Sequence, residues 1–320
     1  MKSRPFTQVD VFTEHPYSGN PVAVVLDGAE LDDETMQQFA QWTQLSETTF
    51  VLPPTEAARS QGADYRVRIF TPGGELPFAG HPTLGTAHAW REAGGKAQNP
   101  DRVVQECGVG LVHIQRAAPL GAWAFAGPAL QRHDVEAGEL QTVCEALGLD
   151  RAQILWAQHL NNGPQWLGLL LDNPTTVLHL LPDHAALKKT GIKVGVAALH
   201  ATQPKPALIG RVNREAMAFG QTSPHTTLPQ AKNIETAMES ALEVRAFAAA
   251  IGIPEDPVTG SLNASLAQWL IAEGLLGKRY TASQGTVLGR EGRIYIEQDP
   301  AGQVWVGGQA VTCIKGHVYL

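Results

Sequence analysis

Apolar residues fall in short runs along most of the chain: FTQVDVF (6–12), VAVVL (22–26), TTFVL (48–52), YRVRIF (65–70) and several more between 103 and 126. Runs of this length, bounded by turn residues, predict β-strands. The boundaries are explicit, as in Tyr17-Ser18-Gly19-Asn20-Pro21 and Thr71-Pro72-Gly73-Gly74. Helical spacing is confined to a few segments. Asp32 or Asp33 caps a helix running to about Trp42, a second starts at Pro82 and runs to about Glu92, and two more span about 135–147 and 262–274.

The helices at 82–92 and 262–274 lack the charged face of a surface helix. Thr83, Gly85, Thr86, Ala87 and Ala89 in one, and Asn263, Ala264, Ser265 and Ala267 in the other, are small and uncharged. Such a helix is expected to be enclosed, with strands approaching from every side. The segments leading into the two helices also match. ELPFAGHPTLGTAHAW (75–90) and EDPVTGSLNASLAQWL (255–270) share Glu-x-Pro-x-x-Gly, and each follows a Val-Arg-x-Phe run, at Val67–Phe70 and Val244–Phe247. Strand, loop and helix recur in order, with three extra residues in the second loop, so an internal duplication is expected. The fold class read from this is α+β. It has two similar halves, each a curved, mostly antiparallel sheet wrapped around a central helix. The halves are taken as 1–125 and 126–320, with the boundary near 118–132. Whether the last strands cross back to the first half stays open.

Composition narrows the partners. The 320 residues are 43% hydrophobic and 17% charged, ample for a core and long enough for two units. A net charge of −7 argues against nucleic acid or an anionic membrane as the main partner, but not against a small acidic ligand. No apolar run reaches the roughly 20 residues that span a bilayer, and the N-terminal MKSRPFTQVDVF lacks a signal-peptide core. Cys107, Cys144 and Cys313 are too few and scattered for a disulfide framework, and packing is their expected role. A cytoplasmic protein follows.

Candidate chemistry gathers at the duplicated loops. Gly80 and Gly260 directly precede the two helices. His81 or Ser261 is then read as the N-cap, and Pro82 as the first helical residue. A helix N-terminus presents free N–H groups and positive dipole, which suits a carboxylate or a developing enolate. Two such ends facing each other would hold one small anion. The plainer alternative makes Ser261 only a cap and His81 only a loop residue. In LSETTFV (45–51), Glu47 enters a strand between apolar Leu45 and Phe50, where partial burial would raise its pKa. A solvated glutamate is the alternative there.

Other signals are weak. His81 and His88 are two helical turns apart, roughly 10 Å, too far to share a metal, and no HExxH or Cys-x-x-Cys accompanies the other histidines. No metal is expected. Gly73-Gly74 and Gly108-Val109-Gly110 read as turns. The polar segment 211–235 reads as a surface excursion in preference to a loop over the cleft.

Five blocks in order, SGNPVAVV (18–25), LSETTFV (45–51), FTPGGELPFAGHPTLGTA (70–87), NNGPQW (161–166) and EDPVTGS (255–261), resemble the PhzF family of phenazine-biosynthesis-like isomerases across nearly the whole chain. The resemblance implies the diaminopimelate epimerase fold, which agrees with the duplication. It implies Glu47 as acid/base, with His81 and Asp256 lining the same cleft. Ser261, Gly80 and Gly260 are implied to bind or position the substrate's carboxylate. It further implies a proton shift between ring carbons of a dihydro-hydroxyanthranilate, no metal or organic cofactor, and a homodimer. Racemases of this fold use two cysteines; here no cysteine lies in a duplicated loop, so a two-thiol mechanism is not expected.

The reading is therefore a cofactor-independent isomerase acting on a small carboxylate. Epimerase-type or racemase-type proton transfer in the same cleft is the alternative among enzymes. A non-catalytic small-ligand-binding protein is the alternative outside them.

Overall fold

The computed structural model describes residues 1–117, 121–200 and 240–320, so the 211–235 segment lies outside the described residues. The alternating runs are strands. The first half carries β1 (Ser3–Val11), β2 (Asn20–Val25), β3 (Glu47–Leu52), β4 (Tyr65–Thr71), β5 (Gly74–Leu76), β6 (Arg102–Cys107), β7 (Gly110–Ala117) and β8 (Ala122–Ala126). The second carries β9 (Gln131–His133), β10 (Ile154–Asn161), β11 (Gln165–Leu171), β12 (Val194–Leu199), β13 (Leu242–Ala248) and β14 (Ile253–Asp256). It continues with β15 (Arg279–Gln284), β16 (Gly292–Gln298) and β17 (Val304–Gly308), and β18 (Ala310–Tyr319) ends the chain.

Strand pairing repeats with the sequence. In the first half β1–β2, β3–β4, β4–β5, β6–β7 and β7–β8 are antiparallel, while β2–β3 and β4–β6 are parallel. Adding nine to each strand number reproduces the second half, parallel pairs included. The last strand completes the pattern. β18 runs antiparallel to β1 as β9 does to β10, and β8 pairs with β17 to join the halves.

The duplication reaches individual side chains. Arg68 grips Glu75 through Nε and Nη2 at 2.8 and 2.6 Å, and its guanidinium stands 5.0 Å over Phe70. Arg245 grips Glu255 the same way, at 2.8 Å through both nitrogens, and stands 5.0 Å over Phe247. The three extra residues of the second loop fall beside a short 3₁₀ turn, Ala249–Ile251.

Each half wraps a central helix, Gly80–Glu92 or Gly260–Ala272, of which nine and ten residues respectively are buried. Small side chains make that enclosure possible. A Cβ on Gly85 would lie 2.4 Å from Val22 Cγ1, so β2 crosses the helix where a side chain is missing. Each helix is also tied to the strand that follows it by a glutamine. Gln105 Nε2 donates to Thr83 Oγ1 at 3.1 Å, and Asn263 Nδ2 donates to Gln284 Oε1 at 2.8 Å. One hydrophobic core surrounds both central helices. Smaller clusters lie under the outer helices Asp33–Thr43 and Ala137–Leu147.

The outer helix 33–43 is capped as its sequence implies, Asp32 Oδ1 accepting from the Thr35 N–H at 2.8 Å. The central helices differ from expectation. They start at Gly80 and Gly260, with Ala79 and Thr259 as extended N-caps and no side-chain cap bond. His81 and Ser261 are second helical residues, and Pro82 is the third. Their side chains are engaged elsewhere, so neither can turn back to cap its helix. Gly73 lies in the β4–β5 turn, and Gly108 and Val109 form the β6–β7 turn. Cys107 and Cys144 are buried and Cys313 is half-buried, all free thiols.

Candidate active site

The two central helices meet at their N-termini. A Cβ on Gly80 would lie 3.0 Å from Gly260 Cα, and one on Gly260 would lie 3.1 Å from Gly80 Cα. Only glycine lets these backbones come so close. With no side-chain caps, the first-turn N–H groups of both helices lie close to that contact. Beside it opens a cavity of about 530 Å³ whose lining includes Glu47, Trp166, Lys193, Asp256, Thr259 and Ser261. That is the size range of small-ligand sites.

Glu47 is the first residue of β3, held by the parallel pairing to β2. Its side chain is 13% exposed. Burial pushes its carboxyl up to about 7, against the opposing pull of the Ser46 hydrogen bond and the Lys193 charge. Its Oε2 lies 3.4 Å from His81 Nε2, and neither atom has an aligned hydrogen-bond partner among the described residues. Burial holds the His81 ring down to about 4, against the raising effect of Asp256. The contact is therefore one with a neutral imidazole.

Asn20, on β2, sets the far side of that ring. Its Nδ2 donates to Asp256 Oδ1 at 2.7 Å and to Val258 O at 2.8 Å. Those bonds use both of its hydrogens, so the 3.3 Å approach to His81 Nδ1 is left without one. The Pro21 carbonyl, beside the same ring, favours a proton on it. We assign the imidazole proton to Nδ1 on that account, which leaves the Nε2 lone pair facing Glu47.

Asp256 ends β14. Burial first, then the Glu47 charge, raise its carboxyl to about 6. Thr259 Oγ1 donates to Asp256 Oδ2 at 2.6 Å, and Gln284 Nε2 donates to the Asp256 carbonyl at 3.0 Å. Ser261 Oγ accepts from Trp166 Nε1 at 3.3 Å, which leaves the hydroxyl hydrogen available to a ligand. The Ser261 carbonyl accepts from Asn162 Nδ2 at 3.0 Å.

Glu47, Asp256 and Ser261 thus line one cavity, His81 stands against Glu47, and Gly80 and Gly260 form the seam between the helix ends. His88 is directed elsewhere, its Nε2 lying 3.0 Å from Thr312 Oγ1 on β18. Reading the sequence by residue missed Asn20, Thr259, Gln284 and Lys193. Asn20 and Thr259 lie inside the conspicuous blocks SGNP and EDPVTGS; Gln284 and Lys193 carry no local signal.

A duplicated, helix-centred α+β fold with titratable groups in the cleft between helix ends defines an isomerase- or epimerase-like class of protein. Residues 9–316 match the family described as phenazine biosynthesis-like protein, PhzC-PhzF, and the chain belongs to that family. It is 33% identical over 335 residues to antisense-enhancing sequence 1 of Schizosaccharomyces pombe, with all of both chains covered. It is 30% identical over 334 residues to the trans-2,3-dihydro-3-hydroxyanthranilate isomerase of Pseudomonas aeruginosa, covering 98% of this chain and 99% of that one. The crystal structure of a PhzF-family phenazine biosynthesis protein from Bacillus anthracis superposes with TM-score 0.77 at 22% identity, both chains fully covered. A probable proline racemase from Agrobacterium radiobacter shares the fold at TM-score 0.62 and 12% identity, over 99% of this chain and 93% of that one. The protein is an isomerase-type enzyme.

Proposed function

We propose that this cleft moves a proton between carbons of a small carboxylate substrate, with Glu47 as general acid and base. The observation that carries the reading is the state of Glu47. A carboxylate whose pKa lies near 7 is ionised often enough to take a proton and protonated readily enough to return it. Its Oε2 has no aligned hydrogen-bond partner among the described residues, and Glu47 lines the cavity.

The step balances without a further reactant. Glu47 takes a proton from one carbon, and the electron pair left behind delocalises into the substrate's conjugated system. Glu47–H then returns the proton at another carbon. The first-turn N–H groups at Gly80, Gly260 and Ser261, with the Ser261 hydroxyl, hold the substrate and stabilise the charge that develops. His81 supports the cycle through Nε2, which can accept from Glu47 while the acid is protonated and stays neutral throughout. Asp256 is fixed by Asn20 and Thr259 and lines the cleft beside them.

Asp256 also supports a second reading. It is another carboxyl raised into the working range, to about 6, in the same cavity. Two such acids can serve an epimerisation, one giving and one taking a proton at a single carbon. Incubation in D₂O with trans-2,3-dihydro-3-hydroxyanthranilate and a panel of amino acids, followed by proton NMR, separates the readings. Deuterium at a new carbon supports the isomerase, and inversion at the exchanging carbon supports the epimerase. No exchange in any member, with saturable binding of one, refutes both in favour of a binding protein.

A further inference from the structure

Lys193 is a charged group of the cavity that this proton-transfer scheme leaves unused. It lies in the loop immediately before β12 and lines the cleft with Glu47, Trp166, Asp256 and Ser261. Its Nζ stands 5.0 Å over the Trp166 ring, a platform that attracts a cation and restricts where it can point. Trp166 is itself held, its Nε1 donating to Ser261 Oγ.

The duplication shows where Lys193 belongs. Thr48 pairs with Phe70, and Val194 pairs with Phe247. Phe70 and Phe247 end the repeated Val-Arg-x-Phe segment, so Thr48 and Val194 are equivalent positions. The residues just before them, Glu47 and Lys193, are therefore counterparts in the two halves. The fold has placed an acid at this position in one half and a cation in the other, both on the shared cleft.

The charge of Lys193 is not matched by a direct partner. Glu47 and Asp256 both act on it electrostatically. Neither closes to a salt bridge with it, for Glu47 stands against His81 and Asp256 is bound by Asn20 and Thr259. Glu139, also in the lining, is paired with His159 at 2.9 Å. A half-buried ammonium in a cavity, on an aromatic platform and without a salt bridge among the described residues, is suited to an entering anion.

We infer that Lys193 is the specificity-determining residue that recognises the substrate's carboxylate, restricting the cleft to small carboxylates and directing the acidic C–H toward Glu47. The inference rests on the proton-transfer reading for the identity of the substrate. Lys193 supplies the full positive charge that the helix N–H groups lack, and those groups then meet the charge that forms during the reaction.

The test uses 3-hydroxyanthranilate, a planar probe without a transferable ring C–H, and its uncharged carboxamide, each titrated calorimetrically into wild-type protein, Lys193→Met and Lys193→Arg. Wild type is expected to prefer the carboxylate. Lys193→Met is expected to weaken that probe by about tenfold or more and to leave carboxamide binding within about twofold, while Lys193→Arg recovers most of the loss. Should Lys193→Met fail to fold, Lys193→Gln, which removes the charge but keeps a polar chain, takes its place. Equal weakening of both probes, no weakening of either, or no binding of the carboxylate by wild type overturns the inference. D₂O exchange on the dihydro substrate is scored separately. Lys193-dependent carboxylate binding with no exchange refutes the reaction alone, whereas full exchange at unchanged KM in Lys193→Met refutes the role of Lys193 alone.

Discussion

Replacing Glu47 by Gln removes a charge that the fold holds unfavourably, so the variant should lose turnover and gain stability. The magnitude follows from the displaced ionisation. Glu47 moves from 4.5 to about 7, burial being the main cause, and each pH unit corresponds to about 1.4 kcal/mol between folded and unfolded states. The folded chain binds the Glu47 proton more tightly than the unfolded chain, so wild-type stability falls as pH rises from about 4.5 to about 7. Below that window both states are protonated and the group contributes nothing. Above it the buried carboxylate costs about 3 kcal/mol. Glu47→Gln has no such penalty, and its amide can donate to His81 Nε2. Removing the charge also relieves Asp256, whose carboxyl Glu47 helps to raise, an effect of the same sign.

Urea denaturation of both proteins from pH 4 to 8 measures the difference directly. The variant's advantage should grow through the window and level off near 3 kcal/mol, about the value expected from the ionisation. Circular dichroism should show an unchanged fold, and ligand affinity should be nearly retained. A stability difference that does not vary with pH would show that Glu47 is not desolvated as described. Undiminished turnover in Glu47→Gln would remove it as the base.

Three further outcomes can be checked independently. The kcat/KM of wild type should rise with pH and level off above about 7, because Glu47 must be ionised to take the first proton; a flat profile across pH 5.5–8 would contradict this. Gly260→Ala should lower stability by about 1–3 kcal/mol and depress kcat, since its Cβ would lie 3.1 Å from Gly80 Cα and 3.3 Å from the His81 nitrogen; a thermal melt matching wild type would show that the helix ends can part freely. Arg245→Met should cost about 3–5 kcal/mol by leaving Glu255 buried and unpaired, whereas Arg68→Met should cost about 1 kcal/mol or less. The two pairs share geometry, but the arginine and glutamate are 4% and 8% exposed in one and 16% and 42% exposed in the other. Equal losses in chemical denaturation would refute burial as the deciding factor.

Much of the fold was readable because the relevant signals are local. Alternating runs marked β1 to β4, and Asp32 announced its helix. The uncharged central helices declared their own enclosure, since a helix without a polar face cannot lie against water. The duplicated Val-Arg-x-Phe and Glu-x-Pro-x-x-Gly runs identified two similar halves and directed attention to Gly80, His81, Gly260 and Ser261, and the family resemblance added Asp256. Glu47 was visible by its apolar neighbours and its resemblance block. The helix starts were misplaced by two residues. His81 and Ser261 looked like caps in one dimension, whereas packing turns one against Glu47 and the other against Trp166.

The sequence by itself determined most strands of the first half, the central helices, the duplication and the family, because periodicity, turn chemistry and repeated motifs need only neighbouring residues. Tertiary structure decided what those pieces do to one another. Asn20 reaches Asp256 across 236 positions, the two glycines allow helix ends from opposite halves to touch, and the strand register makes Lys193 the counterpart of Glu47. The ionisation of His81 and Asp256 was likewise out of reach of the sequence, which offered a raised Glu47 only as one of two readings, because burial dominates each shift. Burial is a property of everything packed around a group, and no stretch of chain contains it.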